Sequence, residues 1–194
     1  MIPIGPISLE RMVNAVELVR NRLLRSTKAL SAANVPFAVT EDNAVAAWVS
    51  RVDTSAVRNT QDVDILIRRA DFDRAKTALE SAGFVYRHVA SLDIFLDGPD
   101  ARPRDAVHIV FAGEKVREHE SANNPDVTES ADDESFRVLS LNALVQIKLT
   151  ANRDKDRTHI RDLIEVGLVD ASWVQQLPME LGQRLQIILD DPNG

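Results

Sequence analysis

The chain has 194 residues, of which 44% are hydrophobic and 27% are charged, a composition typical of one globular domain or of a core with a small appendage. Its formal net charge of -7 argues against broad, non-specific binding to DNA, and the absence of cysteine excludes disulfides and thiolate metal sites. The N-terminal residues lack the basic and apolar regions of a leader peptide, and no run approaches the roughly 20 apolar residues that span a bilayer. We therefore expect a cytoplasmic protein without a membrane partner.

Helices and strands alternate in the first part of the chain. Ser8 is a suitable N-cap for a helix whose apolar residues recur at steps of three and four, from Leu9 to Leu30. Two further helices are predicted at 43–49 and 70–82, the second ended by Gly83. The predicted strands are 35–39, 63–67, 84–88, 94–96 and 106–111. This order indicates an α+β protein with a mixed sheet flanked by helices.

The second part of the chain is predicted to be helical. Residues 114–134 hold eight acidic and two basic residues and no aromatic one, which favours a long surface loop; an acidic segment that mimics nucleic acid is the alternative. Ser140 is a second N-cap, and Gly167 is expected to end a helix. The helices are expected at about 140–151, 154–166 and 179–190. We divide the chain into a core at 1–135 and a helical subdomain at 136–194 that packs on it.

Asp62 and Asp64 are the strongest candidates for a chemical role. Side chains at i and i+2 of a strand project from one face, so the two carboxylates should point together, away from Val63 and Ile65. Like charges at this separation repel, and a divalent metal with oxygen ligands relieves the repulsion. Such a pair is typical of metal-assisted phosphoryl chemistry. The alternative is an ordinary strand start, where the carboxylates bind loop amides or face water.

Three segments together resemble a known family. They are Arg58-Asn59-Thr60-Gln61-Asp62-Val63-Asp64, the helix-starting segment 136–149, and the Arg- and Asp-rich segment 153–163. From Val35 onward the chain resembles the nucleotidyltransferase fold of the DNA polymerase β superfamily, in particular its small bacterial members grouped with the AbiEii-type toxins and minimal nucleotidyltransferases. The first segment matches every defined position of the family pattern Arg-x-Thr-x-Asp-hydrophobic-Asp.

The resemblance implies an enzyme that transfers a nucleotidyl group from an NTP to a hydroxyl group on a small molecule, tRNA or protein. Asp62 and Asp64 would hold Mg²⁺ or Mn²⁺. The nucleotide would be bound by residues that match or flank the family's motifs, namely Arg58, Thr60, Asn43 and Lys148. Arg58 can instead order the strand start, and Lys148 can instead lie along apolar surface with its amine in water. An oligomer is compatible with the sequence.

Two positions depart from the family pattern. Glu41-Asp42 stands where the family has two glycines that bring backbone amides close to a phosphate; acidic side chains there repel a triphosphate and restrict a turn that needs positive φ. His108 stands where the family has a third carboxylate, and Asp105 is displaced from that position. Histidine can act as a base near pH 7 but supplies no negative charge. It can equally be a hydrogen-bonded structural residue.

These departures leave other functions open. The chain can be a catalytically degenerate member of the fold that acts as a binding or regulatory protein, or as a toxin–antitoxin component. It can also be an unrelated α/β scaffold in which the two aspartates have no role. Lys155, His159 and Asp162 share one helix face, which is either solvated or a wall of the substrate site. Trp48 and Trp173 are expected to pack in the core rather than to stack on a base.

Overall fold

The structure is a computed structural model that describes residues 8–116, 122–132 and 135–191. Within these residues the chain forms an α+β fold with one mixed sheet, as the sequence predicts. The helices are α1 (Leu9–Ala32), α2 (Glu41–Ser50), α3 (Phe72–Ser81), α4 (Leu141–Ala151), α5 (Asp154–Glu165) and α6 (Met179–Asp190). The strands are β1 (Phe37–Val39), β2 (Val63–Ile67), β3 (Val85–Val89), β4 (Leu92–Leu96), β5 (Ala106–Phe111), β6 (Ser130–Asp132) and β7 (Arg137–Leu139).

The sheet has seven strands in the order β3-β4-β5-β2-β1-β7-β6. The central strand β2 pairs in parallel with β5 and antiparallel with β1. Because side chains alternate along a strand, Val63, Ile65 and Ile67 pack against α1 and α3, whereas Leu66 packs against α2 and the C-terminal helices. Asp64 therefore lies on the face of the sheet that the C-terminal helices cover.

Several element boundaries differ from the sequence predictions. α2 begins at Glu41 rather than at residue 43, and α3 begins at Phe72 after a short 3-10 turn. β4 begins at Leu92 instead of residue 94. The polar residue Asp93 interrupts the apolar run, so the sequence does not indicate the start of this strand. In the structure, Asp93 is buried and accepts a hydrogen bond from Tyr86.

The prediction of one long loop at 114–134 is wrong at its end. β6 lies within it and pairs antiparallel with β7, which pairs in parallel with β1. Each of these strands has three residues, too few for alternation to be recognised in the sequence. Residues 117–121 and 133–134 lie outside the described residues. The division of the chain at residue 135 stays a prediction, and the β6–β7 hairpin spans it.

The apolar stripe of α1 is buried over only half of its length. Leu9 is 75% exposed, and Met12 and Val16 are also exposed, whereas Leu23 lies in the core with α3. Ser8 occupies the N-cap position, but its side chain makes no capping hydrogen bond. The periodicity therefore predicts the helix correctly but not the burial of its first turns.

The C-terminal helices follow their predicted signals. The Ser140 hydroxyl oxygen accepts a hydrogen bond from the Ala143 amide at 3.3 Å, which confirms it as the N-cap of α4. Gly167 adopts a φ of 77° just after α5, a left-handed conformation that favours glycine at a helix end. Among the described residues, no helix has the length and hydrophobicity needed to cross a bilayer.

Candidate active site

Two carboxylates and an imidazole meet where β2 and β5 lie side by side. Asp62 directly precedes β2, Asp64 lies within it, and His108 lies opposite Asp64 on β5. His108 Nδ1 is 3.4 Å from Asp64 Oδ1 and 3.7 Å from Asp62 Oδ2. One ligand atom from each residue lies within 4.8 Å of the others, so the three can hold a divalent metal ion. Carboxylate oxygens suit Mg²⁺ or Mn²⁺, and an imidazole nitrogen in the set favours a transition metal over Mg²⁺.

Burial, hydrogen bonds and neighbouring charges shift the pKa values of Asp64 and His108. Burial raises the pKa of Asp64 to about 6, the hydrogen bond with His108 opposes the rise, and the charges of Glu41 and Asp62 add to it. The hydrogen bond to Asp64 raises the pKa of His108 above its ordinary value. His108 Nε2 lies 3.3 Å from the Pro103 carbonyl oxygen, which leaves Nδ1 facing the two carboxylates. Asp64 therefore takes up a proton near pH 6, and His108 keeps its proton to a higher pH than an ordinary imidazole does.

Hydrogen bonds position the side chain and backbone of Asp62 and the backbone of Asp64. The Thr60 hydroxyl donates to Asp62 Oδ1 at 2.9 Å, and Asn43 Nδ2 donates to the Asp62 carbonyl oxygen at 2.8 Å. The Thr40 amide donates to the Asp64 carbonyl oxygen at 3.0 Å. Thr60 and Asn43, both predicted to bind nucleotide, thus orient Asp62, and their contact with a nucleotide stays a prediction.

Arg22 is a supporting residue that the sequence analysis did not single out. It is 4% exposed, and its Nη1 donates to the Gln61 carbonyl oxygen at 2.7 Å, next to the first carboxylate of the cluster. Its Nε donates to Asp97 Oδ2 at 3.3 Å. An arginine beside the apolar stripe of a helix is ordinarily a surface residue, so nothing in the local pattern predicts this contact.

Lys148 lies beneath the cleft and is paired with carboxylates. Its side chain is fully buried, and Nζ contacts Glu41, Asp156 at 3.2 Å and Asp42 at 3.6 Å. Burial alone would lower the pKa of Lys148, but the charges of these carboxylates outweigh it and raise the pKa above its ordinary value. The amine does not reach solvent, which excludes the surface-lysine interpretation.

The polar face of α5 packs against α2 and the loop before β2. Arg58 Nε donates to Asp162 Oδ2 at 2.7 Å, so this arginine orders the chain that leads to β2. Lys155 Nζ lies 3.1 Å from Asp42 Oδ1 and also lines the cleft, whereas His159 is buried with its Nδ1 3.8 Å from the same oxygen. The face is therefore mainly an interface between helices, with Lys155 at its open edge.

The remaining candidates from the sequence lie elsewhere. Asp105 bonds to Arg102 at 3.1 Å at the start of β5 and does not line the cleft. The indole of Trp48 donates to the Leu139 carbonyl oxygen at 2.9 Å, and Trp173 packs against the C-terminal core. Both tryptophans are packing residues, as expected.

A cleft of about 670 Å³ opens in front of Asp62, Asp64 and His108. Its walls include Asp62, Asp64 and His108 from the sheet, together with side chains from α4, α5 and the 122–125 segment. Glu41 and Glu129 add two further carboxylates to its lining. A cleft of this size accommodates a small molecule or a nucleotide, since ligand sites commonly enclose roughly 300–1,000 Å³.

Comparison with solved structures identifies similar folds. The chain is similar to the antibiotic-resistance factor ANT(2'')-Ia in solution, with 14% identity, a TM-score of 0.53 and 92% of each chain covered. It is also similar to an antigenic nucleotidyltransferase-like protein from Paracoccidioides brasiliensis, with 15% identity, a TM-score of 0.52, and 97% of this chain and 92% of that chain covered. No protein-family model and no curated protein matches the sequence. At this identity the likeness establishes a nucleotidyltransferase-like fold.

Proposed function

We propose that the protein is a metal-dependent nucleotidyltransferase that moves a nucleotidyl group from an NTP to a hydroxyl acceptor. The observation that carries the proposal is the meeting of Asp62, Asp64 and His108 in an open cleft of a nucleotidyltransferase-like fold. Within this proposal the acceptor is a small molecule, tRNA or protein. A bacterial AbiEii-type relationship, a cytoplasmic location and an oligomer remain predictions from the sequence.

In the proposed reaction the acceptor oxygen attacks the α-phosphorus of the NTP. The bond from that phosphorus to the bridging oxygen breaks, and pyrophosphate leaves. Asp62 and Asp64 would hold Mg²⁺ or Mn²⁺, which when bound neutralises the charge that develops on the phosphate. His108 takes the acceptor proton at Nδ1, because Nε2 faces the Pro103 carbonyl oxygen and Asp64 stabilises the resulting imidazolium.

The test combines metal binding with transfer. We expect Asp62→Asn to weaken Mn²⁺ binding by at least about tenfold in calorimetry, because one of two carboxylate ligands is lost. We also expect it to abolish Mn²⁺-dependent labelling of tRNA, protein or small-molecule acceptors from α-labelled NTPs. Asp105→Asn is the matched control, since this carboxylate lies outside the cleft. A wild-type protein that binds no Mn²⁺, or an Asp62→Asn variant that labels normally, would refute the proposal.

A degenerate, non-catalytic member of the fold is the second candidate. The observation that favours it is Glu41, whose carboxylate faces the cleft and is paired with the buried amine of Lys148. Such a protein would act by binding a partner, for example as a toxin–antitoxin component. It predicts Mn²⁺ binding without nucleotidyl transfer to any of the acceptor classes, whichever NTP is supplied.

A further inference from the structure

Three cations and three carboxylates form one connected cluster at the floor of the cleft. Lys148 from α4 contacts all three carboxylates, which come from Glu41, Asp42 and Asp156. Two further cations join them: Arg153, the residue before α5, bonds to Asp156, and Lys155 of α5 bonds to Asp42. The charges of these six groups therefore balance, and the positive charge beneath the cleft is already neutralised from within the protein.

Glu41 is the acid of this cluster that lines the open cleft, next to the cations Arg153 and Lys155, which line it too. It lines the cleft wall with Asp64, and its charge contributes to the raised pKa of Asp64. Its carboxylate contacts Lys148 Nζ and lies 3.5 Å from Arg153 Nη2. Asp156, in contrast, is fully buried behind Lys148. Of the three acids, Glu41 is the one that lines the cleft and that a ligand there can displace.

The backbone at Glu41 directs this contact. Its φ is 52°, a left-handed conformation that a residue with a side chain rarely adopts. It is the first residue of α2, and the amides of a helix's first turn have no acceptor within the helix. In proteins, phosphate oxygens are commonly bound by cationic side chains and by the backbone amides at the start of a helix.

We propose that Glu41 is an internal substitute for a phosphate group and determines whether the cleft accepts a triphosphate. The inference rests on the proposed function, because it concerns the same cleft. In the structure, the Glu41 carboxylate forms ion pairs with Lys148 and Arg153. A triphosphate binds only when this carboxylate moves away, and Lys148 and Arg153 then contact phosphate oxygens. Glu41 thus weakens triphosphate binding in the wild-type protein without altering the metal ligands.

The test uses inorganic tripolyphosphate with Mn²⁺, since this probe carries the phosphates and no base. Calorimetry compares the wild type with Glu41→Gly and Glu41→Gln. Glycine suits the left-handed backbone, and glutamine keeps the size of the side chain. In both variants Lys148 keeps Asp42 and Asp156 as partners, so its charge is not left alone. If one variant fails to fold, the other carries the test.

Glu129→Gln is the matched control. Glu129 lines the same cleft, but its carboxylate accepts a hydrogen bond from the Asp126 amide, in its own loop. This variant removes one negative charge from the cleft and leaves the Glu41–Lys148 pair in place.

We expect tripolyphosphate to bind the Glu41 variants roughly tenfold more tightly than the wild type, or better, because a negative charge that repels the phosphates is removed and Lys148 and Arg153 each lose one carboxylate partner. The affinity of the Glu129→Gln control for tripolyphosphate should rise by less than about threefold, because a charge exposed to solvent is screened by salt. Equal affinity of wild type and Glu41 variants would overturn the inference while leaving the proposed function intact. No binding to any variant would also overturn it. Tighter binding without nucleotidyl transfer would support the inference and count against the enzyme.

Discussion

Replacing Lys148 by methionine is expected to destabilise the protein strongly. The lysine is 1% exposed and is the common partner of Glu41, Asp42 and Asp156. Methionine fills a similar volume, so the main loss is the charge rather than the packing. Removing one partner of a buried ion pair commonly costs about 3–5 kcal/mol, because the remaining charge stays buried without compensation. For a chain of this length, that corresponds to a fall in Tm of roughly 6–20 °C.

Urea denaturation at pH 7, followed by circular dichroism, measures the loss. Lys155→Met is the matched control: this side chain pairs with Asp42 at 3.1 Å but is about half exposed, so we expect less than about 1 kcal/mol. If the two variants lose the same free energy of unfolding, or Lys148→Met loses less than about 1 kcal/mol, the reasoning is wrong.

The pH dependence gives a second check on the same variant. The pKa of Lys148 is raised above its ordinary value in the folded protein, so its contribution to stability is complete below the pKa of the unfolded chain. That contribution is lost only as the pH rises through the higher pKa of the folded state. The difference between wild type and Lys148→Met should therefore be the same at about pH 7 and about pH 9. A difference that grows over this range would mean that the buried amine is uncharged, because folding would then release a proton that the unfolded chain holds.

Three further predictions concern the supporting contacts and the metal. Arg58→Ala should lower the free energy of unfolding by about 1–3 kcal/mol in urea titration, because the buried Asp162 loses its 2.7 Å partner; unchanged stability would contradict this. Mn²⁺ affinity measured by calorimetry should rise between about pH 6 and about pH 8, because the ion displaces the proton of Asp64, whose pKa is about 6, and its charge disfavours the imidazolium form of His108, whose pKa is raised; a flat profile would refute it. Arg22→Ala should weaken Mn²⁺ binding by about tenfold, since the loop before β2 loses a 2.7 Å bond, and an unaltered affinity would exclude that role.

The convergence of Asp62 and Asp64 can be predicted from the sequence because it depends on local strand geometry. Asp62 and Asp64 lie on one side of the strand start since alternate side chains of a strand share a face. Val63 and Ile65 lie on the other side, packed against α1 and α3. The third member, His108, came from the family resemblance, and the parallel register of β2 and β5 places it opposite Asp64.

The contacts of the cationic residues were not accessible in the same way. Lys148 and Glu41 are 107 positions apart, and a lysine among apolar residues of a helix is compatible with either a buried or a surface amine. Arg22 lies 39 positions from its partner Gln61, and no periodicity connects them. Such contacts depend on how helices cross the sheet, which local patterns do not determine. The strands β6 and β7 cannot be predicted for a related reason. Each has three residues, and its extended conformation depends on pairing with another strand.

The backbone conformation at Glu41 and the charge of its side chain have separate causes. β1 ends at Val39, and the next amide, that of Thr40, donates to the Asp64 carbonyl oxygen at 3.0 Å, so the chain must turn at once into α2. The left-handed conformation at position 41 costs about 1–2 kcal/mol for a residue with a side chain. The contact with the buried Lys148 offsets this cost, because loss of such a pairing is worth more than the strain. The sheet therefore fixes the turn, and the residue at position 41 sets the charge that a ligand meets.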